Sequence, residues 1–297
     1  MVRGTRGGAD RLDFFRPASW DEALSVKAGH PGALAIAGGT DVMVDLNFDR
    51  ERPDALLDLT GVAGLGAVAA DDGWLRLGAG VTWSRVIAEL GDRLPGLAIA
   101  ARTVGSPQIR NRGTVAGNLG SASPAGDAHP PLLAVGAEVE AASTRGTRRI
   151  PVGEFFTGPK RSALAADELI AAVHVPVAAG PQQFAKVGPR NAMVIAVCSF
   201  ALAIDPVRRR VGTGIGSAGP TPLTAPAAEA FVAGALDWDG GGPLDEAAAE
   251  HFGTLVGQAA RPIDDVRGSA AYRVRALGVL ARRTLAWAWS EHTTGRG

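Results

Sequence analysis

Residues 104–131 read VGSPQIRNRGTVAGNLGSASPAGDAHPP. This stretch is rich in Gly, Ser, Asn and Pro and has almost no helix or strand periodicity, which predicts one long loop. A loop of that length inside a compact domain is typically functional or disordered. Because small residues leave backbone N–H groups accessible, the stretch favours contact with an anionic ligand.

A shorter loop lies upstream, in AIAGGTDVMV at residues 35–44. There a short apolar run ends at Gly38-Gly39-Thr40-Asp41, where the glycines can take positive φ and Thr40 adds a hydroxyl donor. Alone, Gly-Gly-Thr is typical of an ordinary strand-to-helix turn. Two such loops in one chain predict a large phosphate-bearing ligand that is held from two sides.

The long loop also carries side chains suited to a polar ligand. Gly117 allows close backbone approach, Thr114 and Asn118 offer side-chain hydrogen bonds, and Asp127 can accept from ribose or ribityl hydroxyls. The alternative is an Ω-loop packed on itself. Further donors in the loop are Ser121, Ser123, Arg110 and Arg112. For the two arginines, a phosphate contact, a contact with the core of a partner and a surface salt bridge all stay open.

Composition excludes several functional classes. Lys plus Arg and Asp plus Glu each number 30, and the zero net charge argues against a general nucleic-acid or anionic-membrane binder. The longest apolar run, residues 192–204, is too short to span a bilayer. A single cysteine, Cys198, permits no internal disulfide and no iron–sulfur cluster. The five scattered histidines predict no metal site, and cytoplasm is the default location.

A second glycine motif, GIGSAG at residues 214–219, matches the dinucleotide-binding pattern GxGxxG. That pattern requires a helix directly after the glycines, whereas Pro220-Thr221-Pro222 follows here. We therefore predict that these glycines leave one face of a strand without side chains and form a turn after it. Lys186, in FAKVG, is typical of an edge-strand charge, and His129 of a hydrogen-bonded loop histidine.

Periodicity and turn signals divide the chain into three α/β or α+β units, 11–65, 66–178 and 182–290. The predicted helices are 18–28, 82–90, 98–102, 223–235, 245–259 and 269–289. The predicted strands are 34–37, 56–59, 74–81, 137–141, 148–152, 169–176, 183–188, 193–204 and 208–215.

Several of these motifs together carry a family resemblance: AGGTD at 37–41, SPQIRNRGTVAGN at 106–118 and SASPAGDAHPPLLA at 121–134. The chain resembles the flavin subunit of molybdenum hydroxylases, the xanthine dehydrogenase and aerobic carbon monoxide dehydrogenase enzymes. KVGPRNAMVIAV at 186–197 and DDVRGSAAYRVRALGVLARR at 264–283 extend the resemblance over nearly the whole chain. The sequences GTDVMVDLNFD and NAMVIAVCSFAL are most similar to those of bacterial xanthine dehydrogenase FAD subunits.

The resemblance implies an α+β chain: a two-subdomain FAD-binding fold of the vanillyl-alcohol-oxidase/PCMH-like type, then a C-terminal α+β domain of the CO dehydrogenase flavoprotein type. It implies FAD between the first two subdomains and no catalytic side chain. Ala116 stands where the family has glycine, so it serves only with a negative φ. The implied cofactor-binding residues are Leu34, Ala35, Ile36, Ala37, Gly38, Gly39, Thr40, Asp41, Val104, Thr114, Ala116, Gly117, Asn118, Ser123, Asp127, Ile170 and Lys186.

The implied function is that of an electron-transfer subunit. It would take electrons from an iron–sulfur small subunit bearing 2Fe–2S clusters and pass them to NAD+, while a large subunit with the molybdenum cofactor oxidises xanthine or hypoxanthine. The expected assembly is a dimer of heterotrimers. The alternatives are the medium subunit of a carbon monoxide or aromatic/N-heterocycle dehydrogenase, a self-contained FAD oxidase, and a cofactor-free scaffold.

Overall fold

The computed structural model describes residues 12–191 and 193–295. Its strands form sheets of three, five and three members and one two-stranded ribbon. The proposed unit boundaries at 65/66 and 178/182 fall between the larger sheets, and we keep this division as a proposal. Arg11, where the first unit begins, and Ala192, the first residue of the long apolar run, lie outside the described residues.

A small parallel sheet, in the order β1-β3-β2, forms the first part of the chain. Helix α1 begins as its sequence predicts, because the Ser19 hydroxyl accepts from the Glu22 N–H and the Glu22 carboxylate accepts from the Ala18 N–H. The elements of this part are β1 (Asp13–Phe15), α1 (Trp20–Gly29), β2 (Leu34–Ile36), α2 (Val42–Asn47) and β3 (Ala55–Asp58).

An antiparallel five-stranded sheet, β4-β5-β10-β6-β7, forms the second part. Its alternation sends Leu75, Leu77 and Val173 into the largest core cluster, against the helices that follow β5. The strands are β4 (Val68–Asp71), β5 (Trp74–Gly78), β6 (Glu138–Ser143), β7 (Gly146–Pro151), β8 (Phe156–Gly158), β9 (Arg161–Ser162) and β10 (Leu169–Pro176), with β8 and β9 forming the ribbon. The helices are α3 (Trp83–Glu89), α4 (Pro95–Thr103), α5 (Pro107–Arg112), α6 (Val115–Gly120), α7 (His129–Ala134) and α8 (Val152–Phe155).

The prediction of one long structureless loop over 104–131 is wrong. Helices α5 and α6 lie inside it, and α7 begins at its end. Each of the three has six residues, which is too short to produce a recognisable 3.6-residue pattern. Their capping signals are present: the Ser106 and Thr114 hydroxyls accept from the N–H groups of Ile109 and Gly117.

A three-stranded antiparallel sheet, β11-β12-β13, begins the third part, and its two faces pack on different layers. Phe200 and Leu202 alternate with Ala201 along β12: the first two pack against the C-terminal helices, and the third packs against α4 and α7. The elements are β11 (Gln182–Val187), β12 (Cys198–Asp205), β13 (Arg210–Gly216), α9 (Pro226–Ala235), α10 (Glu246–Ala259) and α11 (Ala270–Thr294). Throughout 12–191 and 193–295, no helix is long and apolar enough to cross a membrane.

The motif GIGSAG lies at the end of β13 and in the turn after it. The prediction of a strand face without side chains, followed by a turn, is therefore confirmed. A Cβ at Gly212 would overlap the Ala134 carbonyl, and one at Gly214 would overlap the Pro130 carbonyl. Glycine therefore lets the backbone of β13 lie directly against α7. The turn continues through Ser217, whose φ is 58°.

The variant Gly214→Ala tests the direct contact of β13 with α7. Because the added methyl meets the Pro130 carbonyl, we expect the free energy of unfolding to fall by about 3 kcal/mol, as in other overpacked interiors. Gly234→Ala is the matched control, since no atom lies within 4 Å of its Cβ position in α9, and its stability should stay equal or rise by up to about 1 kcal/mol. Urea unfolding of both variants measures the difference. Equal stabilities would contradict close packing of β13 on α7.

Candidate functional site

The first glycine loop presents a row of unused backbone donors. It joins β2 to α2, and Gly39 takes a φ of 76°, in the left-handed region. The N–H groups of Gly38, Gly39, Thr40 and Asp41 donate to no acceptor in the described part of the chain. Gly38 to Thr40 are half-buried and Asp41 is exposed, and successive free N–H groups of this kind are suited to bind phosphate oxygens.

The second loop packs directly onto the first. A Cβ at Gly38 would overlap the Arg112 carbonyl, and one at Gly113 would lie 3.3 Å from the Thr40 hydroxyl. The Asp41 carboxylate also accepts a hydrogen bond from the Ser121 side chain, while burial raises the pKa of that carboxyl. The two glycine loops, which are far apart in sequence, thus form one surface.

Helix α6 stands at the centre of the site, and most of its polar groups bond internally. The Thr114 hydroxyl accepts from the Gly117 N–H at 2.9 Å, and the Asn118 side-chain oxygen accepts from the Ala128 N–H at 3.1 Å. Thr114 and Ala116 keep N–H groups with no acceptor among the residues described. Since Ala116 lies inside a helix and has no positive φ, alanine meets the backbone condition stated for this position.

A cavity of about 280 Å³ lies where the loops meet. Ala37, Gly38 and Thr114 line it from the predicted site. Its other wall is the turn after β3 together with the end of β5, which sequence reasoning missed: Thr60, Val62, Gly64, Leu65, Gly66 and Gly80. The glycines at 61, 64 and 66 were the available signal, and Gly64 has a φ of 73°.

A buried ion pair joins the second loop to the third sheet. Lys186 Nζ lies 2.6 Å from Asp127 Oδ2 and also donates to the carbonyls of Thr103 and Val194, at 3.1 and 3.3 Å. Lys186 does lie in an edge strand, β11, but its charge is not a solvated one, because its side chain is only 9% exposed and points toward the second loop.

Only one oxygen of Asp127 is used. Asp127 Oδ1 is buried and has no hydrogen-bond partner within the described chain. Burial raises the pKa of the Asp127 carboxyl, and the Lys186 ammonium opposes that rise. The free oxygen is therefore a ready acceptor for a ligand hydroxyl.

The remaining predicted residues frame these groups. Val104 follows Thr103 at the end of α4, beside the Lys186 contact. Ser123 accepts from the Ala125 N–H within its own turn, and Ile170 lies in β10 beneath Gly120 of α6. Leu34, Ala35 and Ile36 form β2, which positions the first loop through its pairing with β3. Arg110 donates to the carbonyls of Val104 and Gly105, so it fixes the chain locally.

His129 holds the turn that carries Asp127. Its Nε2 donates to the Asn118 carbonyl at 3.2 Å, its ring packs on Phe156 with centroids 4.4 Å apart, and a Cβ at Gly126 would overlap the ring. The side chain is fully buried, and burial lowers its pKa to about 4, although the Asn118 hydrogen bond opposes the shift. His129 is therefore neutral at pH 7 and acts as a positioning residue.

Comparison with known proteins identifies the family. Residues 10–178 match the family described as FAD binding domain in molybdopterin dehydrogenase, and residues 183–288 match the CO dehydrogenase flavoprotein C-terminal domain. The chain is an FAD-binding subunit of the molybdenum hydroxylase family. It is an oxidoreductase flavoprotein, and the resemblance found in its sequence is confirmed.

Relatives and solved structures cover almost the entire flavin subunit. The xanthine dehydrogenase FAD-binding subunit of Escherichia coli O157:H7 is 30% identical over 289 residues, which cover 93% of this chain and 95% of the relative. The nicotine 6-hydroxylase medium subunit of Paenarthrobacter nicotinovorans is 31% identical over 282 residues, covering 92% and 96%.

Among solved structures, carbon monoxide dehydrogenase from Hydrogenophaga pseudoflava, which lacks the Mo-pyranopterin moiety of its cofactor, contains a similar chain. The match has a TM-score of 0.87 at 25% identity and covers 95% of this chain and 99% of that one. Quinoline 2-oxidoreductase from Pseudomonas putida 86 shares the fold, with a TM-score of 0.87 at 24% identity and coverage of 96% and 99%. The predicted fold class is confirmed.

The residues present fit FAD. We propose that the free N–H groups of Gly38 to Asp41, Thr114 and Ala116 hold its pyrophosphate, and that Asp127 Oδ1 accepts from its polyol. The bound flavin supplies the electron-carrying chemistry. In this proposal the chain's own residues would bind and orient it: Gly38 lets the loops meet, Lys186 neutralises Asp127, and His129 fixes the turn that carries Asp127.

The His129 environment predicts a pH dependence of stability. Its pKa is about 4 in the folded chain, whereas the ordinary pKa of a histidine is 6.5, so the unfolded chain binds more protons between these two pH values. The contribution of neutral His129 to the free energy of unfolding is therefore fully present above pH 6.5 and is lost as the pH falls toward 4. Between pH 7 and pH 5 the loss is about 2 kcal/mol. Denaturant unfolding at both pH values should show that excess loss in the natural chain relative to His129→Gln, which cannot titrate there. Equal losses would contradict the buried neutral imidazole.

Proposed function

We propose that this chain is the electron-output subunit of a molybdenum hydroxylase. It takes electrons from an iron–sulfur subunit and passes them to NAD+, in a cytoplasmic enzyme that oxidises xanthine or hypoxanthine. The expected assembly is a dimer of heterotrimers of this chain, the iron–sulfur subunit and a large subunit that binds the molybdenum cofactor. The residues set out above are the proposed FAD contacts.

One combination of groups carries the proposal. A row of free N–H donors at Gly38 to Asp41 suits a diphosphate, and the free oxygen of Asp127 suits a hydroxyl-bearing chain. A flavin dinucleotide has both features in one molecule. An Ω-loop packed on itself would instead be expected to satisfy its own polar groups, which these loops do not.

The need for a partner follows from the cysteine content. Iron–sulfur clusters are held by several thiolates, whereas this chain has only Cys198, which is buried and whose pKa burial raises to about 11. Cys198 is therefore suited to core packing and not to cluster ligation. In the proposed assembly, clusters that deliver electrons belong to another subunit.

The choice of substrate is supported by relatives and not by this chain's site. The E. coli O157:H7 relative is named for xanthine, while others are named for nicotinate, nicotine and caffeine. A second candidate is therefore the medium subunit of an N-heterocycle dehydrogenase. The pocket of the large subunit distinguishes the two, because substrate meets that subunit in both proposals.

The purified chain should bind FAD noncovalently at one per chain, as measured by flavin absorbance after gel filtration. NADH should bleach the bound flavin, whereas xanthine should bleach it only after the iron–sulfur and molybdenum subunits are added. A colourless chain that takes up no added FAD would refute the proposal. Direct bleaching by xanthine would instead favour a self-contained oxidase.

Gly38→Ala tests the meeting of the two loops. Because the methyl group would overlap the Arg112 carbonyl, we expect the loops to separate and FAD affinity to fall at least about ten-fold, the equivalent of 1.4 kcal/mol. Gly32→Ala is the control, since nothing lies within 4 Å of its Cβ position. Fluorescence titration with FAD measures both, and circular dichroism checks that both variants fold. Unchanged affinity in folded Gly38→Ala would place FAD elsewhere.

A further inference from the structure

Ser217, in the turn after β13, has an unusual backbone conformation. Its φ is 58°, in the left-handed region that residues with a side chain adopt only at a cost. Its hydroxyl is buried and has no hydrogen-bond partner in residues 12–191 and 193–295, so the side chain does not hold this conformation by a hydrogen bond. The conformation therefore depends on the partners of the two peptide groups that flank its Cα.

Both of these peptide groups have a specific partner. The Ser217 N–H donates to the Pro124 carbonyl at 2.9 Å. The Ser217 carbonyl accepts from Arg273 Nη1 at 2.6 Å. Pro124 belongs to the second loop, and Arg273 lies near the start of α11. Ser217 therefore connects the C-terminal helix to the second loop through its backbone.

Arg273 is a buried arginine that pairs with an acidic residue. Its side chain is only 5% exposed, and its Nη2 donates to Asp265 Oδ1. Asp265 also accepts from the N–H and the side chain of Arg267. A buried ion pair is by itself weak evidence for stability, because removing both charges from water is costly. What the pair does provide is a charged donor, held in one direction, for the carbonyl of Ser217.

Pro124 belongs to the same tight turn as Asp127. The Ser123 carbonyl accepts from the Gly126 N–H at 3.0 Å, and the Ser123 hydroxyl accepts from the Ala125 N–H at 3.3 Å. These hydrogen bonds make the segment 123–127 compact. The position of the Pro124 carbonyl therefore restricts the position of Asp127.

The two sides of this turn are held by different parts of the chain. After Asp127, the Ala128 N–H and the His129 ring both bond to Asn118 of α6. Before Asp127, the Pro124 carbonyl is held by the turn that follows β13. Loss of that contact would allow the peptide groups before Asp127 to rotate. The unpaired oxygen Oδ1 would then no longer be held in one place.

We propose that Arg273 is a positioning residue for the cofactor. By holding the carbonyl of Ser217, it keeps the Ser217 N–H directed at the Pro124 carbonyl. Asp127 Oδ1 thereby stays where a ribityl hydroxyl of FAD can donate to it. The inference rests on the proposed function, because it assumes that Asp127 contacts FAD. It deepens that proposal, since it gives the C-terminal domain a part in cofactor binding through Asp127.

A double-mutant cycle separates this positioning from general support of the fold. Because Gln lacks the charged donor, Arg273→Gln should weaken FAD binding by the purified chain about ten-fold or more, as measured by fluorescence titration. In Asp127→Asn the amide oxygen can face Lys186, which leaves an NH2 group in place of the acceptor Oδ1. In that background Arg273→Gln should weaken binding by less than about two-fold, because the contact through which Arg273 acts is already lost.

Each outcome of the cycle is decisive. Equal losses in the two backgrounds, no loss in folded Arg273→Gln, or unchanged affinity in Asp127→Asn would overturn the inference. Arg273→Lys should recover most of the affinity, since Lys keeps a charged donor for the Ser217 carbonyl. Arg282→Gln is the matched control, because this arginine of α11 pairs with the exposed Glu250, and its FAD affinity should be unchanged.

Ser217 supplies a second test that holds if Arg273→Gln does not fold. Ser217→Gly accepts a positive φ without strain and should bind FAD as tightly as the natural chain. Ser217→Thr disfavours that φ because Thr is β-branched, so its FAD affinity should fall about five-fold or more, and only while Asp127 is present. Equal affinities of the two Ser217 variants would overturn the inference.

The same titrations keep the inference apart from the proposed function. Circular dichroism checks that every variant is folded. A natural chain that takes up no FAD would refute the proposed function itself. Normal uptake by the natural chain, with independent effects at Arg273 and Asp127, would refute only the positioning role of Arg273.

Discussion

The close approach of β13 to α7 is the constraint on which the rest of the structure depends. Gly212 and Gly214 leave no Cβ between the strand and the carbonyls of Ala134 and Pro130. This contact fixes the distance between the third sheet and the helices of the second unit. Since β11 belongs to the same sheet, the seam also decides where Lys186 meets Asp127. The two glycines of β13 therefore help to determine the position of the Lys186–Asp127 ion pair, although Lys186 belongs to another strand, β11.

The resulting ion pair leaves one carboxylate oxygen of Asp127 available to accept a further hydrogen bond. A fully satisfied buried pair would use both carboxylate oxygens, but here Lys186 uses Oδ2, and Oδ1 has no partner in the described chain. Leaving a buried acceptor unpaired costs about 1–3 kcal/mol, which a hydroxyl donor from a ligand would recover. The Asn118–Ala128 and Asn118–His129 hydrogen bonds hold the backbone of this turn in place, and the bond from Lys186 to Oδ2 fixes the orientation of the carboxylate.

How far the sequence predicts this arrangement depends on the range of each interaction. Local signals served well. The helices predicted at 18–28 and 82–90 are present and are capped by Ser19 and Thr82. The strand predicted at 74–81 contains β5, and the GxGxxG motif forms a strand end and a turn. The helices inside 104–131 were missed because six residues are too few for periodicity. The Lys186–Asp127 pair and the cavity wall at Thr60 and Gly66 depend on contacts between distant segments, which periodicity does not report. Loop composition alone suggested Gly38, Gly117 and Asp127, whereas positions such as Ile170 and Lys186 came from the family resemblance.

The alternation of β12 also explains how one chain can serve two kinds of contact. Its small residues face α4 and α7, where close approach positions Lys186; they are Ser199, Ala201 and Ala203. Large residues such as Phe200 and Leu202 face α10 and α11, where they form a separate core. A change on one face therefore alters the packing around Lys186, and a change on the other alters the core under α10 and α11. Because strand side chains alternate with a period of two, a single strand keeps the two sets of contacts independent in sequence while it holds them rigidly in space.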